Sequence, residues 1–416
     1  MMGDAPGQAD GAQGPLPTPG EENVPEELLL TLRKFVVPEF VFGRGALSLA
    51  GRQTAGLGVR RALLVADPGL MALGWPDKVG ASLEAAGVDV RLFTDISANP
   101  RDHEVMAGAA LFGEAACDAL VAVGGGSAMD CAKAIGIVIA NRRHILSFEG
   151  VDNVERPGPP LLCVPTTSGS GAEVSQFTIV TDSTCRRKVA IASKTLIPDA
   201  ALIDPDVTES MSPVLTAYSG LDALTHAMEA YVSNAHGPMT DLLAMESIRL
   251  IRAHLPQAIA SPHDMEARGG MSLASLYAGM AFSNAILGAV HAMAHSLGGL
   301  LDLPHGLCNA ILVDHVVDFN FEAAAARYEQ IGRLLGADID PAAPQAARKE
   351  AVLAAIRAIK ADAGVSVNLA DLGVTRGNLH DLAAKALMDP CMLTNPRQPT
   401  LEEIETVYEN ACRART

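Results

Sequence analysis

The sequence predicts an α/β domain followed by an all-helical one, and three observations carry that expectation. Short apolar runs rich in Val, Leu and Ala alternate with helical stretches over roughly the first 200 residues, which implies a parallel, doubly wound sheet. Glycine-rich turns follow two of those runs. Beyond Pro205 the texture changes to long Ala-, Leu- and Met-rich segments of helical period. At 416 residues the chain is long enough for two cores.

Taken in order, residues 1–25 are rich in Pro, Gly, Ala and acidic groups and almost free of large apolar side chains. They cannot offset the entropy of ordering and are expected to form a disordered leader. The α/β domain is placed at 26–209 and the helical domain at 210–416. Strands are expected at 35–42, 61–67, 88–93, 119–123 and 161–164, the second apolar enough for burial on both faces. Helices are expected between them, at 71–86 and 102–116. The second half reads as helices at 213–233, 238–260, 267–301, 308–319, 321–335, 347–363, 376–387 and 401–411. Residues 269–301 contain no Lys, Arg, Asp or Glu, yet they hold Ser272, Ser275, Asn284, His291 and His295. Such polar groups indicate a buried core helix rather than a membrane span.

A formal charge of −17 argues against a broad surface for a phosphate backbone, so neither nucleic acid nor an anionic membrane is expected as a partner. Small molecules are. Seven cysteines, odd in number and without a C-x-x-C, indicate no disulfide framework and no zinc ribbon. The N-terminus lacks a basic n-region and an apolar h-region, so a cytoplasmic location is expected.

Asp222 and His226 lie four apart in a helical-looking run, so both side chains project from one face. His291 follows in a second helical segment and His305 in a Pro304-His305-Gly306 turn. One carboxylate and three imidazoles suit a first-row ion such as Fe(II), Zn(II) or Mn(II) better than calcium or magnesium. The competing reading is four unrelated polar groups. Glu229, three residues past His226, is better suited to orienting a ligand than to being one.

Gly124-Gly125-Gly126-Ser127 turns from a strand into an apolar helix, a design that brings backbone N–H groups and a helix N-terminus to a phosphate. A plain tight turn is the alternative. Pro165-Thr166-Thr167-Ser168-Gly169-Ser170-Gly171 follows the strand at 161–164 and offers hydroxyls and glycines to phosphate, ribose or carboxamide. Ser170 and Glu173 also have the spacing of a capped helix start. Asp67, closing the strand at 61–67, can accept hydrogen bonds from an adenosine ribose and repel a 2′-phosphate, which favours NAD over NADP; it can equally cap the turn before Pro68.

With those residues in view the chain resembles the iron-containing, or group III, alcohol dehydrogenases from about Phe35 to Ala411. The carriers are Gly-Gly-Gly-Ser-x-x-Asp at 124–130, Pro-Thr-Thr-x-Gly-x-Gly at 165–171, Gly-x-Asp-Ala-Leu-x-His at 220–226, the segment 288–299 and Leu303-Pro304-His305-Gly306. Phe148-Glu149-Gly150-Val151-Asp152 and Phe282-Ser283-Asn284 are similar in wording to the bacterial ethanol-oxidation type. Ala172 departs from the serine that many relatives carry. The resemblance implies a dehydroquinate-synthase-like fold with an N-terminal dinucleotide-binding domain, metal ligands Asp222, His226, His291 and His305, and a catalytic or substrate-contacting His295. It places cofactor contacts at Asp67, Asn99, Gly125, Gly126, Ser127, Asp130, Thr166, Thr167, Ser175, Phe177 and Lys188.

The expected function is hydride transfer between a small primary alcohol, or its aldehyde, and NAD(H), by a homodimer or higher homo-oligomer. Alternatives are a dehydroquinate-synthase-like lyase and an oxidoreductase of diols or hydroxyacids. The lyase would need several basic side chains for its substrate, whereas the metal-bearing segments are Ala, Met, Leu and Gly. A hydrolase is disfavoured because no glutamate follows His291 as H-E-x-x-H requires.

Overall fold

The computed structural model describes residues 34–185 and 187–413, so the leader expected at 1–25 lies outside the described residues. Nine strands occur among them: β1 (Glu39–Phe42), β2 (Arg61–Ala66), β3 (Asp89–Phe93), β4 (Ala119–Gly124), β5 (Gly150–Val151), β6 (Leu161–Pro165), β7 (Phe177–Asp182), β8 (Arg187–Ala192) and β9 (Ala200–Ile203). Six form one sheet in the order β1-β9-β6-β4-β2-β3, every pair parallel. Helices α1 (Ala50–Gly56), α2 (Trp75–Ala85), α3 (Asp102–Glu114) and α4 (Gly126–Asn141) connect them.

Alternation along β2 explains the two layers. Ala62, Leu64 and Ala66 share one core with Ala50 of α1 and Val79 and Leu83 of α2. Leu63 and Val65 face a second core with Val105 and Phe112 of α3 and Met129 and Ile135 of α4. A parallel strand covered on both faces must be apolar where it is buried, as β4 is throughout and β2 is beyond Arg61. Pairing of Ala66 with Val123 and of Gly124 with Pro165 brings the C-terminal ends of β2, β4 and β6 side by side. The turns carrying Asp67, Gly125 and Thr166 therefore share one edge, the usual ligand edge of such sheets.

The second half is helical: α5 (Pro213–Val232), α6 (Pro238–Ala260), α7 (Met265–Ala285), α8 (Ala289–Leu301), α9 (His305–Asn320), α10 (Ala325–Leu334), α11 (Gln345–Asp362), α12 (Arg376–Leu387) and α13 (Leu401–Cys412). Buried apolar residues of α5 to α13 make one continuous core. Among the described residues no single helix is long and apolar enough to cross a membrane.

Several expectations from the sequence need correction. The helix expected at 267–301 is two, α7 and α8, bent by 101° at a break where Ile286 has φ 61° and Gly288 is extended. A side chain at Gly288 would meet the Glu229 carboxylate at 2.9 Å, so the break is where that carboxylate enters. The strand expected at 35–42 begins only at Glu39. Pro38 has no N–H to give a ladder, and Val36 instead pairs its N–H and C=O with the Asn284 amide at 2.7 and 3.0 Å. The helix at 71–86 starts as a 3-10 turn, Pro68–Leu73, and becomes α2 only after Gly74 at φ 73°. The stretch at 321–335 likewise opens on a 3-10 turn before α10. No helix follows Thr166, so the capped-helix reading of Ser170 and Glu173 fails: the chain passes through Gly171 at φ 59° into β7. The antiparallel pair β7–β8, with β5 beside it, was not anticipated.

Candidate metal and nucleotide site

Helix α5 is fixed at its start by Pro213 and by the Ser212 hydroxyl, which accepts from Leu215 N at 3.2 Å. It delivers Asp222, His226 and Glu229 into the interior, each less than a tenth exposed. His291 sits in the first turn of α8 and His305 at the start of α9. The Nε2 atoms of His226, His291 and His305 lie 4.0, 3.8 and 3.7 Å from one oxygen, Asp222 Oδ1. Those spacings are too long for hydrogen bonds and close to the edge, roughly 3.4 Å, of a tetrahedron with metal–ligand arms of about 2.1 Å. The four donor atoms all lie within 4.8 Å of one another. They fit a divalent first-row ion.

Two of the three imidazoles are aimed by their other nitrogen. His226 Nδ1 donates to the Gly169 carbonyl at 3.2 Å, and its ring stacks between Phe282 and His291. His291 Nδ1 donates to Glu229 Oε2 at 2.6 Å. The same carboxylate accepts from Gly288 N at 3.1 Å and Val290 N at 2.7 Å, so it also terminates α8, where its charge faces the positive end of the helix. Glu229 thus orients His291, not its helix neighbour His226.

Asn309 was missed by the sequence reading. Its Nδ2 donates to Asp222 Oδ1 at 2.7 Å and lies 3.0 and 3.2 Å from the Nε2 atoms of His291 and His305. It is one turn beyond His305, the only signal that could have found it. Its own Oδ1 is buried with no partner among the described residues, as is His305 Nδ1.

The protein's own charges polarise the cluster. Burial pushes the Asp222 carboxyl up, but the imidazoles of His226, His305 and His291 outweigh it and hold the group well below the carboxylate range. Burial drives His226 down to about 4 and His305 well below its usual value. His291 goes the other way, to about 9, because the neighbouring Asp222 and Glu229 carboxylates, the second hydrogen-bonded to its Nδ1, overcome its burial. His295, one turn past His291, donates from Nδ1 to Asp389 Oδ2 at 2.8 Å and stacks on His305 at 5.2 Å. The Asp389 carboxyl is lowered, since His295 offsets the cost of burial.

A cleft of about 620 Å³ runs from this cluster to the edge of the sheet. Asp67, Asn99, Gly125, Gly126, Ser127, Asp130, Thr166, Thr167 and Lys188 line one wall, and Asp222, His295 and His305 the other. The two glycine loops touch: Thr166 N donates to Gly124 O at 2.9 Å, and a side chain at Gly126 would meet Ser170 Cβ at 3.0 Å. Helix α4 begins at Gly126, so its first N–H groups point into the cleft. Asp67 lines the cleft and also caps the following turn, accepting from Gly69 N at 2.7 Å. Asn99 Nδ2 donates to Asp302 Oδ1 at 2.6 Å, tying the sheet edge to the end of α8.

Burial pushes Asp130 up to about 7 against the pull of Lys133. Ser175 and Phe177 are not on the lining. Their carbonyls, at 2.7 and 3.0 Å, accept from the buried Lys133 ammonium instead.

The family described as iron-containing alcohol dehydrogenase matches residues 38–205, and the C-terminal part of the Fe-containing alcohol dehydrogenase family matches 216–412. The chain is 37% identical to the NAD-dependent methanol dehydrogenase of Bacillus methanolicus over 377 residues, which cover 91% of this chain and 99% of that protein. It is 40% identical to the 1,3-propanediol dehydrogenase of Klebsiella pneumoniae over 380 residues, 91% of this chain and 98% of that one. A solved 1,3-propanediol oxidoreductase superposes with a TM-score of 0.88 at 39% identity, covering 92% of this chain and 100% of its own. An alcohol dehydrogenase from Oenococcus oeni does so at 0.88 and 33%, covering 91% and 100%. The metal-dependent, NAD-linked chemistry expected from the motifs thus agrees with both fold and relatives, and the chain belongs to the iron-containing alcohol dehydrogenase family.

Proposed function

We propose that this protein oxidises a small primary alcohol with NAD, or reduces the matching aldehyde with NADH, in the cleft between its sheet edge and its helical half. The observation that carries the reading is the convergence of three imidazole Nε2 atoms on Asp222 Oδ1 at the end of a cleft whose other wall is two glycine loops. Asp222, His226, His291 and His305 would hold the metal, and Fe(II) is the ion the family description favours. When bound, the ion supplies a Lewis acid for the alcohol or aldehyde oxygen, and NAD takes or gives the hydride.

The chain's own groups do the rest. Glu229 keeps the Nδ1 proton on His291, so that Nε2 keeps its lone pair. Asp389 does the same for His295, leaving His295 Nε2 as the acceptor for the proton that leaves the substrate hydroxyl. The start of α4 and Thr166 and Thr167 receive the dinucleotide phosphates, and Asp67 the adenosine ribose. Ser175 and Phe177 shape the nucleotide wall from behind through Lys133.

Residues 26–209 act as the nucleotide half and 210–416 as the metal half. The buried, unpaired thiols of Cys117, Cys131, Cys163, Cys308 and Cys391 support a reducing cytoplasm. Exposed Phe40 and Phe42 on the edge strand β1 support a homodimer or larger assembly. The test is NAD reduction by anaerobically Fe(II)-loaded protein across a series of primary alcohols. The reading expects turnover that needs both the metal and the alcohol; its absence across the series with metal-loaded protein overturns it.

A further inference from the structure

A short 3-10 turn, Pro390–Thr394, joins α12 to the segment before α13 and is capped by Asp389, whose Oδ1 accepts from Cys391 N at 2.8 Å. The Thr394 hydroxyl, donating to the Leu287 carbonyl at 2.6 Å, and the paired amides of Asn395 and Asn320 hold the turn in place. Asp389 and Cys391 are thereby fixed beside His295 of α8, and one donor atom from each of the three lies within 4.8 Å of the others. Fixing the His295 tautomer needs only the carboxylate, which accepts from Nδ1 at 2.8 Å. The buried Cys391 thiol has no part in that pair.

Sulfur is what separates these three residues from the Asp222 cluster. A thiolate is a soft donor that prefers Zn(II) or Cd(II), whereas Ca(II) and Mg(II) take oxygen ligands. A tetrahedral ion with arms of about 2.1 Å to nitrogen and oxygen has an edge of roughly 3.4 Å, so ring and carboxylate part by only about 0.6 Å to admit it. Ionised Cys391 and Asp389 carry two negative charges, and a dication makes the largely buried site neutral. Burial and the Asp389 carboxylate push the thiol well above its ordinary value, and a cation set between the two groups removes the second of those causes. A cavity of about 290 Å³, bordered by His295, Asp389 and Pro390 but by neither glycine loop, gives access and room for water as a fourth ligand.

We propose that His295, Asp389 and Cys391 form a second cation site, distinct from the Asp222 cluster, that takes a thiophilic divalent ion of the zinc type and switches the enzyme off. The thiol gives up its proton, sulfur, carboxylate oxygen and imidazole nitrogen each donate a lone pair, and nothing is oxidised or reduced. An ion on His295 Nε2 occupies the lone pair assigned to the substrate proton. An ion on Nδ1 sends the ring proton to Nε2, with the same result. The site itself does not depend on the dehydrogenase reading; the loss of turnover rests on it.

Cadmium, the spectroscopic stand-in for zinc, is titrated anaerobically into full-length, Fe(II)-loaded protein. Metal content, thiolate-to-cadmium ultraviolet absorption and alcohol-dependent NAD reduction are followed together. One cadmium per chain should bind above the iron, with the band and the loss of turnover rising in parallel and the iron retained; zinc should inhibit likewise. In Cys391→Ser, and in Cys391→Ala as a second variant, the band should vanish. The half-inhibiting zinc concentration should rise by about tenfold or more, since losing a ligand costs at least as much as losing the partner that orients one. Cys185→Ser, which removes the exposed thiol, should change neither.

Release of iron in step with cadmium uptake would overturn the second site. So would a band and inhibition that both Cys391 variants keep, or no uptake beyond the iron. Uptake with the band but with full turnover would keep the site and overturn the switch, by removing His295 from the proton path. No turnover of any alcohol before cadmium is added removes the dehydrogenase reading and leaves the band to decide the site.

Discussion

Replacing Glu229 with Gln keeps the shape of a buried side chain and removes its charge. The native carboxylate accepts four times: from Gly288 N, Val290 N, His291 N at 3.4 Å and His291 Nδ1 at 2.6 Å. An amide accepts only through its oxygen, and its NH₂ would confront either backbone N–H groups of α8 or the Nδ1 proton of His291. At least one buried donor is then unsatisfied, which costs about 1–3 kcal/mol. Relaxation would come by switching the His291 tautomer, which places the proton on Nε2 and spoils it as a ligand. Losing the partner that orients a metal-binding imidazole lowers metal affinity by about 10–100-fold. Competition with a chromogenic chelator gives that affinity directly, with circular dichroism as a check on folding. A Glu229→Gln protein that folds and binds Fe(II) or Zn(II) within about threefold of wild type, well below that range, would refute the argument that Glu229 aims His291.

Other expectations follow from single contacts. Asp67→Ser should raise the use of NADP relative to NAD by about tenfold or more through loss of charge repulsion and ribose contacts, read as a ratio of kcat/KM values; an unchanged ratio removes Asp67 from cofactor selection. Gly171→Ala puts a Cβ 2.5 Å from Gly279 Cα at a φ of +59°, so soluble yield or thermal stability should fall, by about 1–2 kcal/mol from the backbone conformation alone. Wild-type stability in that variant would mean the loop and α7 are less closely packed than described. Asp389→Asn should lower kcat with little change in the KM for NAD, because it disturbs the tautomer of His295 and not the nucleotide cleft; a KM effect alone would contradict that.

Much of the site was legible because its chemistry is written in local patterns. Asp222 and His226 announce themselves by i, i+4 spacing, and Gly124 to Ser127 by a glycine run between a strand and a helix. The aims of these side chains were not legible. Glu229 reaches His291 only because the chain breaks at Ile286 to Gly288, and an unbroken apolar period from 267 to 301 hides that break. Asp389 lies far in sequence from His295, so nothing local marks it, and Asn309 is marked only by its place one turn past His305. The β7–β8 hairpin shows alternating burial in β7 but lies between two more obvious motifs, and with it Lys188 enters the cleft.

The central claim is that Asp222, His226, His291 and His305 together hold the metal on which alcohol oxidation depends. It is tested most directly by measuring bound metal per chain and alcohol-dependent NAD reduction in parallel for wild type and for folded Asp222→Ala. The account predicts near-stoichiometric metal and turnover in the wild type and the loss of both in the variant. Retention of metal and activity by Asp222→Ala would contradict it.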